Sequence, residues 1–127
     1  MKYVLIAILV TLAVVAARPE TYTSRFDNID VDRILNTKRL FDSYFKCLMD
    51  QGKCTPDGKE LKKLLPDALQ TNCEKCTPKQ RDGTDRVLRF IVKNKPAEWE
   101  QLKAKYDPQN IYIQKYRESA ATRGIEI

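Results

Sequence analysis

Histidine is absent from the 127-residue chain. Its absence removes Ser-His-Asp and Cys-His nucleophilic catalysis, imidazole ligation of metals and the usual pH switch. Hydrophobic alternation at period two never persists long enough to make a sheet, and no internal repeat or low-complexity linker is found. Paired carboxylates can serve as general acid and base, but the densest acidic group, Asp27, Asp30 and Asp32, is better placed to start the first helix, where negative charge suits the macrodipole. With no catalytic constellation, the chain is not expected to be an enzyme, and neither a cofactor nor a metal is implied.

The one long apolar run, Val4 to Ala17, is broken only by Thr11. As a helix it would rise about 21 Å, short of the roughly 30 Å hydrocarbon core of a bilayer. Met1 and Lys2 give a positive start, Val15 and Ala17 supply small −3 and −1 residues, and Arg18-Pro19 follows. A signal peptide over 1–17 is expected rather than a membrane anchor, with no stable membrane insertion once it is removed. Residues 18–127 then make one domain, large enough for one core or a core with a modest cavity.

The formal charge is +6, or +5 without Lys2. Acids are interleaved with the bases: Asp82 precedes Arg86 by four, and Asp85 precedes Arg89 by four. That spacing describes a solvated helix face, and nucleic acid is not an expected partner. A membrane-active protein would mass its bases opposite an apolar face, which the mixed charges argue against.

Periodicity is helical from about Asp30 onward. A short helix covers Val31–Asn36. Leu40, Phe41, Tyr44, Phe45 and Leu48 form one apolar face, of a helix ending near Gly52; Leu61, Leu64, Leu65, Ala68 and Leu69 form another. Thr84, Val87, Leu88 and Ile91, flanked by Phe90, make a third. Trp99, Leu102 and Tyr106 make a fourth, and Tyr112, Ile113, Tyr116 and Ala120 a weaker fifth. Four X-Pro steps, at Pro56, Pro78, Pro96 and Pro108, mark expected helix starts, and Thr77 with Gln80 reads as a capping box. Pro66, inside a stripe, predicts a bend. The fold class is all-α, five or six short helices in a compact bundle.

Cys47, Cys54, Cys73 and Cys76 have the spacing C-x6-C-x18-C-x2-C. In an oxidising compartment they allow three connectivities, of which pairing between sequence neighbours is the economical choice. A four-cysteine zinc site usually wants two CxxC knuckles, and only one is present. A redox role for Cys73-Glu74-Lys75-Cys76 lacks a surrounding βαβ pattern. Locally closed rings of this size would stabilise by only about 2 to 2.5 kcal/mol each, leaving helix packing free to adapt.

This cysteine pattern, with Asp27-Asn28-Ile29-Asp30-Val31-Asp32, Lys46-Cys47-Leu48-Met49-Asp50-Gln51-Gly52, Cys54-Thr55-Pro56-Asp57-Gly58 and Leu64-Leu65-Pro66-Asp67-Ala68-Leu69-Gln70-Thr71, resembles the insect chemosensory (OS-D-like) proteins. Lys95-Pro96-Ala97-Glu98-Trp99 and Lys105-Tyr106-Asp107-Pro108 extend the likeness, which runs from about Tyr22 to Tyr116. Phe26 departs from it, because the family often has tyrosine there. The resemblance implies a single ligand-binding domain over 18–127, with six helices around an internal hydrophobic cavity and disulfides between cysteines adjacent in sequence. It further implies carriage of odorants, pheromone-like compounds or fatty-acid derivatives in sensillar lymph or haemolymph. Roles in development, regeneration or immunity, exerted through the protein surface, are the alternative. A monomer is expected, and the sequence names no receptor.

The candidate ligand-binding set is drawn from the apolar faces and the aromatics. Leu48, Leu61, Leu65, Val87 and Ile91 serve core packing first and ligand contact second. Tyr22, Phe26, Tyr44, Trp99, Tyr112 and Tyr116 suit the lining or mouth of a cavity, where a polar tip can orient a head group. Trp99, the single tryptophan, is the first choice for the entrance. If 1–17 is a signal peptide, the secreted product has an intact mass that begins at Arg18; a product retaining Met1–Ala17 would overturn the secretory expectation.

Overall fold

A computed structural model describes residues 21–127, so the expected signal peptide lies outside the described residues. Within them the chain forms α1 (Val31–Asn36), α2 (Lys38–Leu48), α3 (Pro56–Gln70), α4 (Pro78–Asn94), α5 (Pro96–Tyr106) and α6 (Ile111–Thr122), and no strand. No helix among the described residues is long and apolar enough to cross a membrane.

Local chemistry sets most of the boundaries. Asp30 caps α1 through the Arg33 N–H at 3.0 Å, and Thr55 caps α3 ahead of Pro56. The Thr77–Gln80 capping box forms ahead of Pro78, satisfying two otherwise orphaned donors. Three helices end alike, each on a left-handed residue: Asp50 after α2 (φ 60°), Asn72 after α3 (φ 52°) and Gly124 after α6 (φ 74°). The amide after each left-handed residue returns to a carbonyl five residues back, Gln51 to Lys46, Cys73 to Ala68 and Ile125 to Ala120. This is the Schellman ending, which satisfies free carbonyls of the last turn.

Three expectations need correction. Pro108 does not start a helix. It sits in a turn, and α6 begins at Ile111, where the Asp107 carboxylate accepts from the Tyr112 and Ile113 amides at 3.2 and 2.9 Å. The buried Asp107 thus serves as a remote cap. Asp27 does not help to start α1: it accepts from the Thr77 hydroxyl and the Gln80 amide, both at 2.9 Å, fastening the N-terminal segment to α4. Asp85 does not belong to a solvated face with Arg89. It is buried, taking the Tyr116 hydroxyl and, at 2.9 Å, Arg123. The other pair of the expected face does form, with Arg86 3.3 Å from Asp82. α3 continues through Pro66.

Apolar burial is concentrated in two clusters. In the first, Leu35, Phe41 and Ile91 are buried, with Val31, Phe45, Val87, Phe90, Trp99 and Leu102 against them. Phe41 stacks with Phe45 at 6.3 Å between ring centroids and lies tilted against Phe90 at 6.2 Å. In the second, Ile113, Tyr116 and Ala120 are covered by Leu88, Trp99, Ile125 and Ile127. Trp99 belongs to both and joins α6 to the rest. Each such side chain fully buried contributes about 1.5–3 kcal/mol. Both disulfides form and are local: Cys47, near the end of α2, joins Cys54 ahead of α3, and Cys73 joins Cys76 between α3 and α4.

The Tyr116–Asp85–Arg123 contact makes α6 testable. Asp85→Ala leaves a tyrosine hydroxyl and a partly covered guanidinium unpaired, and is expected to cost about 3 kcal/mol in urea unfolding. A loss below about 0.5 kcal/mol would mean that the buried acid gives no net stabilisation.

Candidate functional site

No residue of α3 belongs to either apolar cluster. Leu61, Leu64, Leu65 and Leu69 share a stripe, yet the one buried residue of α3 is Gly58. Leu61 is 45% exposed and the other three are half-buried. What holds α3 is polar and sits toward its ends. At its start, Tyr44 of α2 donates to Asp57, and the Cys47–Cys54 bridge lies alongside. Gly58 permits this approach, since a Cβ there would stand 3.2 Å from the Thr55 hydroxyl and 3.4 Å from the Cys47 sulfur. At its end, the Tyr22 hydroxyl donates to Asp67 at 2.5 Å, and the Tyr22 amide to the Lys75 carbonyl at 2.9 Å. Between them Asp50, in the loop after α2, receives Lys62 of α3 and, at 2.7 Å, Lys105 of α5. Tyr106 adds a 2.5 Å bond to the Leu48 carbonyl.

These contacts displace ionisation. Burial, then hydrogen bonding to Asp67 and its charge, push the Tyr22 phenol up to about 12. Burial and the bond to Asp57 raise Tyr44, burial raises Tyr106, and burial with the bond to Asp85 raises Tyr116 strongly. Burial pushes Asp57 upward, but donors from Thr55, Tyr44 and the Asp57 and Gly58 amides outweigh it and hold the carboxyl below its usual range.

The sequence-derived candidates divide into groups. Val87, Ile91 and Trp99 meet in the first cluster, and Trp99 and Tyr116 in the second. Ile91 and Tyr116 are buried there, whereas Val87 and Trp99 are half-buried. Leu61 and Leu65 lie on α3, Tyr44 and Tyr22 tether it, and Leu48, half-buried at the end of α2, lends its carbonyl to Tyr106 of α5. Phe26 is half-buried under the Arg25 guanidinium, 5.2 Å from its ring centre. Tyr112 is half-buried beside Asp107. Trp99 carries Lys103 at 5.6 Å over its ring, so one face is lidded by a cation.

Sequence reasoning missed Asp50, Asp57 and Asp67, which hold α3, and Arg81, whose Nη2 donates to the Asn72 carbonyl at 2.6 Å. Only Asp57, next to the Thr55-Pro56 helix start, carried a sequence signal. Two open surface clefts of about 650 Å³ lie apart from the leucine stripe. One is basic, lined by Lys38, Arg39, Lys46 and Lys53 among others; the second is lined by Gln109, Asn110, Ile111, Gln114, Lys115 and Glu118. Among the described residues no cluster of acids and cysteines could hold a metal ion.

Comparison with known proteins agrees with this architecture. A family profile described as insect pheromone-binding family, A10/OS-D, matches residues 22–114. Ejaculatory bulb-specific protein 3 of Drosophila melanogaster is 58% identical over 127 residues, 100% of both chains. A solved chemosensory protein in complex with bromo-dodecanol superposes with a TM-score of 0.73 at 45% identity, covering 78% of this chain and 99% of that one. The antennal chemosensory protein A6 from the moth Mamestra brassicae gives 0.65 at 46% identity, covering 84% and 98%.

The tyrosine tethers predict alkaline behaviour. A phenol raised in the folded state stabilises fully below its unfolded value near 10, and that stabilisation is lost as pH rises through the folded value. For Tyr22 the window is about 10 to about 12. Tyrosinate absorbance of the native protein should therefore lag behind that of the urea-unfolded chain. Superimposable titrations would rule the tethers out.

Proposed function

We propose that this chain, which belongs to the insect pheromone-binding family A10/OS-D, is a secreted carrier that holds a small hydrophobic molecule in an apolar space bordered by α3. The carrying observation is the stripe Leu61, Leu64, Leu65 and Leu69, on a helix with polar tethers toward both ends and no leucine fully buried. Four leucines aligned toward one side and incompletely covered by protein represent apolar surface that a ligand chain can remove from water. A linear amphiphile gains about 0.8 kcal/mol per buried CH₂ before the costs of association.

The bromo-dodecanol held by a protein 45% identical to this one is a ligand of that chemistry. Odorants, pheromone-like compounds and fatty-acid derivatives are its natural counterparts. The 58% identical relative is named for the ejaculatory bulb and not for the antenna, which favours carriage of hydrophobic molecules in general over olfaction alone. Residues 1–17 would direct the chain to the secretory route.

Affinity for unbranched alcohols should rise with chain length and level off once the space is full, at about micromolar, or −8 kcal/mol. Trp99, the single tryptophan, at the join of the two clusters, should be quenched by a brominated chain. Leu65→Ser should weaken dodecanol binding about tenfold while costing no more than about 1–2 kcal/mol of stability, because its side chain is only half-buried. Absence of saturable binding across alcohols, esters and acids of varied length would refute the carrier.

A further inference from the structure

Arg81 lies in the first turns of α4 with its guanidinium at the C-terminal end of α3. Its Nη2 donates to the carbonyls of Asn72 at 2.6 Å and Cys73 at 3.4 Å. These are consecutive left-handed residues, φ 52° and 63°, just past the last leucine of the stripe. Its Nη1 is fully buried and has no hydrogen-bond partner. Arg86 Nε shares that condition, but Arg86 faces the carboxylates of Asp32 and Asp82 and its charge is balanced.

No carboxylate among the described residues pairs with Arg81. Asp85, one turn along α4, is taken by Tyr116 and Arg123. Asp67, a turn before the carbonyls that Arg81 holds, is taken by Tyr22 and Lys75. Asp27 is taken by Thr77 and Gln80. A covered guanidinium without an anion, and with an unmade hydrogen bond, is unfavourable. Its Nη1 keeps two N–H donors, which suit a carboxylate oxygen.

We propose that Arg81 is the head-group site of the carrier, its Nη1 taking the carboxylate of an ionised long-chain carboxylic acid whose chain lies along Leu69, Leu65 and Leu61. From Leu69 to Leu61 the helix rises about 12 Å, a run suited to a medium or long alkyl chain. Of the five described tyrosines, four have hydroxyls already committed, at positions 22, 44, 106 and 116, and the fifth, Tyr112, stands on α6. This assignment rests on the carrier reading and adds a preference for acids over neutral ligands of equal length.

Dodecanoate, methyl dodecanoate and dodecanol, each titrated into the full secreted protein at neutral pH, separate the two claims. Wild type should bind dodecanoate about tenfold more tightly than the ester. Arg81→Met should abolish that preference, lowering dodecanoate affinity to that of the ester, and Arg81→Lys should restore part of it. Because Arg81 also holds two carbonyls, a second readout uses the unmodified protein. The ¹⁵N resonances of the Arg81 guanidinium should shift on addition of dodecanoate and not of dodecanol. Equal affinity of acid and ester in wild type, a preference surviving in Arg81→Met, or only ordered water at Nη1 in the dodecanoate complex would overturn the assignment while leaving a carrier that binds dodecanol. Failure of all three ligands to bind would overturn both.

Discussion

Tyr44 and Tyr22 hold opposite ends of α3 by donating to Asp57 and Asp67, and much of the molecule is arranged around that suspension. A hydrogen bond to a charged group contributes about 1.5–3 kcal/mol, comparable to one buried leucine. Two such bonds, the adjoining disulfide and the Asp50–Lys62 pair fix where α3 begins and ends. None requires the leucines between them to be packed. A helix anchored by apolar burial would have filled its own stripe with protein; one anchored by polar contacts can leave it for something else.

The remaining helices carry the apolar packing in which α3 takes no part. The Phe41–Phe45–Phe90 group ties α2 to α4, Trp99 carries that packing across to α6, and Asp85 pins α6 to α4. Both disulfides lie beside the ends of α3, Cys47 of α2 with Cys54 and Cys73 with Cys76, spanning sequence separations of 7 and 3. They set where α3 enters and leaves the bundle without stapling its length to another helix. A wall that belongs to neither apolar cluster can shift without disturbing the cores, which would suit ligands of different shape in the proposed site.

The fold was legible where the determining chemistry is local. Thr77 and Gln80 lie three residues apart, and Pro56, Pro78 and Pro96 occupy first-turn positions, so each boundary could be read from neighbouring residues. Pro108 misled because the cap of α6 is Asp107 acting across a turn of several residues, and X-Pro spacing does not report a remote cap. Asp85 misled because acid-before-base spacing at four residues is the same for a solvated pair and for an acid turned inward to a tyrosine 31 residues away. The leucine stripe of α3 was plain in the sequence, but its incomplete burial was not, since periodicity gives a face and not what covers it. Asp50, Asp67 and the guanidinium at the end of α3 were invisible for the same reason, since their partners are set by tertiary structure, whereas Asp57 was marked by the Thr55-Pro56 helix start beside it.

The charge chemistry also constrains how a ligand can leave. Among the described residues, the side chains whose ionisation is displaced all shift away from pH 7: Tyr22, Tyr44, Tyr106, Tyr116 and Lys38 upward, Asp42 and Asp57 downward. Asp57 sharpens the point. A carboxyl held below its usual range stabilises the fold above that range, and the effect fades only as pH falls through the lowered value. The tether from Tyr44 therefore persists through mild acidification, and no histidine exists anywhere in the chain to gain charge between pH 5 and 8. If the proposed ligand space is bordered by α3, its opening would draw on the half-buried leucine stripe and not on a titrating group. The barrier to exchange would then be set chiefly by apolar surface returned to water, and longer chains would leave more slowly than shorter ones.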